Sequence, residues 1–78
     1  MHTVYALKSL SRNYIYVGLS DNLERRINQH DNGHNKTTRP YAPFQLIYSE
    51  RYESRAKARV REKYLKSGVG KEYLKSLE

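Results

Sequence analysis

Seventy-eight residues suffice for one hydrophobic core and not for two, so the span 1–78 is read as a single domain. The absence of cysteine excludes a disulfide framework and a thiolate metal site, and no apolar run approaches the ~20 residues that span a bilayer. Fifteen Lys and Arg against eight Asp and Glu leave a formal charge of +7, which makes nucleic acid the leading partner class, although a lysine-rich surface also serves solubility.

The opening residues MHTVYALKS lack a basic start followed by a long apolar run, so no secretory signal is expected. The expected setting is cytoplasmic, away from membranes. A membrane-surface role would favour a basic amphipathic helix carrying Trp or Phe, and here there is no Trp and the single Phe, Phe44, lies in a predicted strand.

Val4 to Lys8 is apolar and β-prone, Ser9 to Asn13 is a polar turn, and Tyr14 to Val17 alternates between two faces. The two runs predict a β-hairpin. A four-residue loop pairing Lys8 with Asn13 would set Tyr5 opposite Tyr16, on one face of the sheet. Gly18 is expected to end the second strand. Ser20 or Asp21 then caps a helix, with Glu24 placed to complete a capping box with Asp21. Leu23 and Ile27 mark the buried stripe of this helix, and Asn32-Gly33 stops it.

Gly33 to Pro43 reads as a polar loop holding His34, Lys36, Arg39, Pro40 and Pro43, with Thr37, Thr38 and Tyr41 also on its exposed surface. Phe44 to Ser49 returns to strand character, with Phe44, Leu46 and Tyr48 predicted on one face. Ser54 caps a helix running to about Ser67, Gly68 and Gly70 break it, and Lys71 to Leu77 forms a short last helix with Tyr73, Leu74 and Leu77 as its apolar side. The order β-β-α-β-α-α implies an α+β fold: a three-stranded, mainly antiparallel sheet flanked by helices.

No His/Cys pattern of zinc type, no glycine-rich phosphate loop and no supported Ser-His-Asp arrangement occurs. What stands out is a strand ending Tyr16-Val17-Gly18, followed by a helix on which Arg26 and His30, four residues apart, face the same way beside the Leu23/Ile27 stripe. Duller readings exist for each residue. Tyr5 and Tyr16 can be a packed cross-strand pair, Arg26 and His30 solvated helix positions, and Glu62 a member of a surface ion-pair network with Lys66, Arg55 and Arg59.

In this setting the chain resembles the GIY-YIG nuclease family. Thr3-Val4-Tyr5 corresponds to the first motif, keeping only its tyrosine, and Tyr16-Val17-Gly18 to the second. Leu23-Glu24-Arg25-Arg26 with His30 is similar to the family's helix, and Ala58, Arg61-Glu62 and Leu65-Lys66-Ser67-Gly68 to its later Ala-rich helix. The similarity covers nearly the whole chain, in order, and looks closest to short bacterial stand-alone members akin to the nuclease module of nucleotide excision repair.

The resemblance implies a metal-dependent endonuclease that hydrolyses phosphodiester bonds in DNA, selective for structure rather than sequence, acting in repair or recombination. It assigns Glu62 to a single divalent ion, Mg²⁺ or Mn²⁺, Tyr5 and Tyr16 to the attacking water, Arg26 to the scissile phosphate, and His30 to proton transfer or phosphate contact. An unperturbed tyrosine titrates at about 10, so a base role calls for a nearby arginine or metal to lower it. Two departures are noted: the first motif lacks its Gly and Ile, and no asparagine follows Asn35 to fill a position that many members use. The expected DNA-gripping surface comprises Arg12, Lys36, Arg39, Tyr41, Arg55, Arg59 and Lys66, binding phosphates weakly and salt-sensitively. A protein partner that supplies substrate specificity belongs to the same expectation. The alternative is a non-catalytic nucleic-acid-binding module on the same fold.

Overall fold

Strand β1 (His2–Ser9) lies between β2 (Ile15–Ser20) and β3 (Phe44–Tyr52), both antiparallel to it, in the sheet order β2-β1-β3. The helices are α1 (Leu23–Asp31), α2 (Arg55–Lys66) and α3 (Gly68–Lys75), with a 3-10 turn at Arg39–Tyr41. These positions come from a computed structural model describing residues 1–32, 36 and 38–77; the parts of the polar-loop reading that fall on Gly33, His34, Asn35 and Thr37 lie outside them. The α+β class and the order β-β-α-β-α-α are as the sequence predicts. Among the described residues no helix is long and apolar enough to cross a membrane.

The central position of β1 explains its composition. Thr3 to Leu7 is buried without a break, because both sheet faces are covered there. Val4 and Ala6 point toward α2 and α3 and join Ile15, Val17, Ala58, Leu65 and Leu74 in an aliphatic core. Tyr5 and Leu7 point the other way, toward α1, and pack with Phe44, Tyr14, Tyr16, Leu23, Ile27 and Tyr41.

The hairpin is longer than predicted. Lys8 pairs with Ile15 and Tyr5 with Gly18, so the loop runs through Tyr14 and the register differs by two residues from a Lys8–Asn13 pairing. Ser9 causes the difference: its Oγ accepts from the backbone N–H groups of Ser11 and Arg12 and donates to the Tyr41 carbonyl, so the loop folds around its side chain. A slip of two keeps every side chain on its face. Tyr5 and Tyr16 therefore still share a face, as diagonal neighbours with ring centres 6.2 Å apart.

Gly18 lies within β2 rather than at its end. A Cβ there would stand 2.5 Å from the Tyr5 hydroxyl oxygen and 2.9 Å from the Tyr16 ring, so the residue is glycine because Tyr5 crosses over it. The α1 cap is Asn22, whose Oδ1 accepts from the Arg25 N–H; Ser20 instead accepts from Asn22 N–H, and the Asp21–Glu24 capping box does not form. At the other end of α1, Asp31 Oδ1 accepts from Phe44 N–H at 2.9 Å, tying the helix to β3 across the long loop.

Along β3 the pairing shifts between Ala6 and Leu7: Tyr48 opposes Ala6 while Leu46 opposes Leu7, leaving Ile47 as an extra residue. The bulge turns Tyr48 onto the α2/α3 face, away from Phe44, contrary to the simple alternation. Helix α2 begins at the Ser54 cap as expected. Helix α3 starts at Gly68, three residues earlier than predicted, because Ser67 caps it by accepting from Gly70 N–H. Gly70 is buried where an added Cβ would collide with the Tyr64 carbonyl oxygen, so the glycine permits the tight α2–α3 corner rather than breaking a helix. Of the predicted apolar side of α3, only Leu74 is buried; Tyr73 and Leu77 are exposed, since so short a helix touches α2 along a single row.

Candidate functional site

The site grows from the α1-side aromatic cluster. Tyr5 is 1% exposed, and its hydroxyl lies 3.3 Å from His30 Nε2. On the far side of that ring, His30 Nδ1 lies 2.8 Å from the hydroxyl of Thr38, which is itself fully buried. Tyr16, half-buried on the edge strand β2, brings its ring centre to 4.7 Å from that of His30. Phe44 packs edge-on against the imidazole at 5.8 Å. Tyr5, Tyr16 and His30 are thereby brought together, as expected, although His30 is the buried residue of α1 rather than a border position.

Arg26, one turn before His30, is exposed, and among the described residues its guanidinium bonds only Gln29 Oε1, at 3.5 Å. Its charge nevertheless reaches the cluster. Burial holds the His30 imidazole below its ordinary pKa of 6.5, and Arg26 pushes it further down, so the ring is neutral at pH 7. For Tyr5 the balance is upward. Desolvation dominates and Tyr16 and Glu62 add to it, while Arg26 opposes them without prevailing. The expectation that a neighbouring arginine would lower Tyr5 is thus met in sign by Arg26 but not in sum: burial leaves the phenol protonated.

Glu62 approaches from α2 and is 6% exposed, so it is no surface acid. Its Oε1 pairs with Arg59 at 3.3 Å and its Oε2 with Lys66 at 3.2 Å, both partners being more than half exposed. Arg55 takes no part in this network. Among the described residues no three His, Cys, Asp or Glu side chains converge on a point. Any divalent ion would therefore rest on the Glu62 carboxylate, with water and phosphate oxygens completing its shell. Hard oxygen ligands of that kind suit Mg²⁺ or Mn²⁺, and the exposed side chains of Arg59 and Lys66 have room to yield the carboxylate.

The predicted DNA-gripping residues fall into separate places. Arg55, Arg59 and Lys66 line one side of α2, the side that carries Glu62. Arg12 and Tyr41 sit elsewhere, at the hairpin turn: Tyr41 stacks on Tyr14 with ring centres 4.0 Å apart, and Arg12 lies over it at 5.9 Å. Tyr41 is thus packed against Tyr14 and Arg12 at the hairpin turn, apart from the α2 group. Lys36 and Arg39 are exposed in the long loop. Sequence reasoning placed Thr38 in the long loop beside Lys36 and Arg39 but not on His30, because a threonine in a polar loop carries no pattern that names its partner.

The chain that folds in this way, bringing two tyrosines and a histidine together beside an arginine and a buried glutamate, matches in sequence the family profile described as the GIY-YIG catalytic domain over residues 1–75. The chain belongs to the GIY-YIG family, and its class of function is that of a nuclease. Its relatives are small stand-alone proteins. A UPF0213 protein of Clostridium perfringens is 42% identical over 67 residues, covering 85% of this chain and 71% of the relative. One from Natronomonas pharaonis is 40% identical over 67 residues, covering 85% and 78%. The solution NMR structure of a UPF0213 protein from Bacillus halodurans aligns with a TM-score of 0.58 at 34% identity, covering 99% of this chain and 84% of that one.

Proposed function

We propose that the protein is a divalent-metal-dependent endonuclease that hydrolyses phosphodiester bonds in DNA, with preference for structure rather than sequence, in repair or recombination. The observation that carries this reading is the Tyr5 hydroxyl. It is bonded to a neutral His30 and lies within the electrostatic reach of both Arg26 and Glu62, which come from different helices.

In this reading Tyr5 donates its proton to His30 Nε2, and the imidazole proton resides on Nδ1, facing Thr38. The Tyr5 oxygen then keeps its lone pairs for a water molecule, which it orients. As water attacks, its proton passes to Tyr5 while the phenol proton passes to His30 Nε2. The phosphorus–oxygen bond to the departing strand breaks, and that oxygen takes a proton from solvent. Full proton transfer from Tyr5 to His30 is uphill in the free protein. Their ordinary values, 10.0 and 6.5, differ by 3.5, and the site raises the first and lowers the second. Even the unshifted gap costs about 5 kcal/mol. His30 is therefore a positioning residue at rest. Arg26 meets the anionic phosphate and offsets the charge that develops on it. A divalent ion on Glu62 would supply further positive charge to the phosphate and cancel the carboxylate's upward pull on Tyr5. Arg59 and Lys66, released from Glu62, would turn to phosphates.

The test is a cleavage assay on flapped, branched and plain duplex DNA across Mg²⁺ concentrations, with Glu62→Ala, Arg26→Ala and Tyr5→Phe alongside. Arg26→Ala is expected to lose about 10²–10³-fold in rate, by analogy with removal of one charge-stabilising donor. Cleavage that survives Glu62→Ala would sink the assignment. DNA binding without cleavage under every metal would favour a non-catalytic module.

A further inference from the structure

Beside the Tyr5 site a cleft of about 200 Å³ opens where β2 gives way to α1 and the start of α2 lies alongside. Its walls include His2 from β1, Ser20 and Asp21 from the β2–α1 junction, Arg25 and Arg26 from α1, and Arg55 from α2. Three guanidinium groups from two helices thus border one small polar space, against the single carboxylate of Asp21. That carboxylate reaches Arg25 only at 4.0 Å, with both side chains well exposed, so it neutralises little. Among the described residues Arg55 has no ion-pair partner and Arg26 bonds only a neutral amide. Uncompensated guanidinium groups around a concave space form a receptor for a phosphate, which they bind through paired N–H donors.

The cleft does not coincide with the scissile position. From Glu62 to Arg55 is seven residues of α2, or about 10.5 Å of helix, with Arg59 between them on the same side. That length corresponds to the axial rise of about three nucleotides of one DNA strand. Arg26 borders both places and links them.

We propose that this cleft is a second phosphate subsite, taking a phosphate of the substrate strand about three nucleotides from the one that is cut. The inference rests on the nuclease reading for the position of the cut, but its binding chemistry is independent of catalysis. The subsite holds the strand in register along α2, so that Arg26 meets the scissile phosphate already aligned.

The experiment measures binding of the full chain to a flapped duplex by fluorescence anisotropy, without divalent metal. Single uncharged methylphosphonate links are placed one at a time around the junction. In the wild-type chain, neutralising one internal position displaced from the cut should weaken binding about tenfold, the scale of one charged hydrogen-bonding interaction. In an Arg25→Gln/Arg55→Gln variant the same link should matter less than about twofold by that reasoning, and the salt dependence of log affinity should flatten by about 0.9 for each phosphate the variant no longer neutralises. Arg55→Lys should restore most of the salt slope, which separates missing charge from damaged folding. Comparing 5′-phosphate with 5′-hydroxyl flaps assigns the source: a loss confined to the 5′-hydroxyl substrate supports the subsite with a strand end as its occupant. Unchanged affinity and salt slope in the double variant would overturn the subsite while leaving the nuclease reading intact. A methylphosphonate effect without any cleavage in metal would leave the subsite standing and remove the nuclease.

Discussion

The two faces of β1 do different work. Val4 and Ala6 enter a layer beneath α2 and α3 whose buried members are all aliphatic, where packing volume matters more than any one polar contact. One residue along in each case, Tyr5 and Leu7 enter the layer beneath α1, where a phenol, an imidazole and a threonine hydroxyl are bonded in sequence and none of the three is exposed. The first layer supplies cohesion and the second supplies geometry. A sheet of three strands can carry both because strand alternation separates them without extra chain. The layers should therefore fail differently when damaged.

The largest effect is expected in the aliphatic layer. Leu74→Ala removes a fully buried side chain from α3 and should cost about 2–5 kcal/mol of stability, read by urea unfolding, while the cleavage rate per folded molecule stays near that of the parent. A loss of activity in excess of the unfolded fraction would show that the layers are coupled. In the aromatic layer, Thr38→Val leaves His30 Nδ1 unpaired in a buried place and should cost about 1–3 kcal/mol, with a further loss of cleavage as the imidazole loses its orientation. Gly18→Ala places a methyl against the Tyr5 hydroxyl; about 1–3 kcal/mol of overpacking is expected, together with an activity loss larger than the melting shift explains.

Acid should separate the layers too. Above pH 6.5 the His30 imidazole is neutral in both the folded and the unfolded chain. As pH falls through 6.5 the unfolded chain takes the proton first, because the folded pKa lies lower, so stability declines with falling pH below that value. His30→Gln should remove that part of the decline, and unfolding measured between pH 7 and pH 5 checks it. The smallest effect is a gain. Gly68 opens α3, and a methyl added there would meet no atom within 4 Å, so Gly68→Ala should stabilise by about 0.5–1 kcal/mol, visible as a raised Tm with unchanged cleavage.

What the sequence by itself determined was local. The element order, the Ser54 cap and the Leu23/Ile27 stripe follow from propensity and periodicity between near neighbours, and the spacing of Tyr5, Tyr16, Arg26, His30 and Glu62 carried the family resemblance. Tertiary structure decided the rest. The hairpin register depended on how Ser9 gathers the loop, and the face of Tyr48 on one extra residue in β3. The ion pairs of Glu62 with Arg59 and Lys66 are local to α2 and were legible, but its burial, the protonated state of Tyr5 and the Thr38 support of His30 depend on groups brought in from other elements. A charge in water is governed by its solvent, whereas a buried one is governed by whatever the fold brings to it. That is why the candidate residues, and the ion pairs of Glu62 within α2, could be read along the chain, while burial and protonation emerged only when α1, β1 and α2 came together.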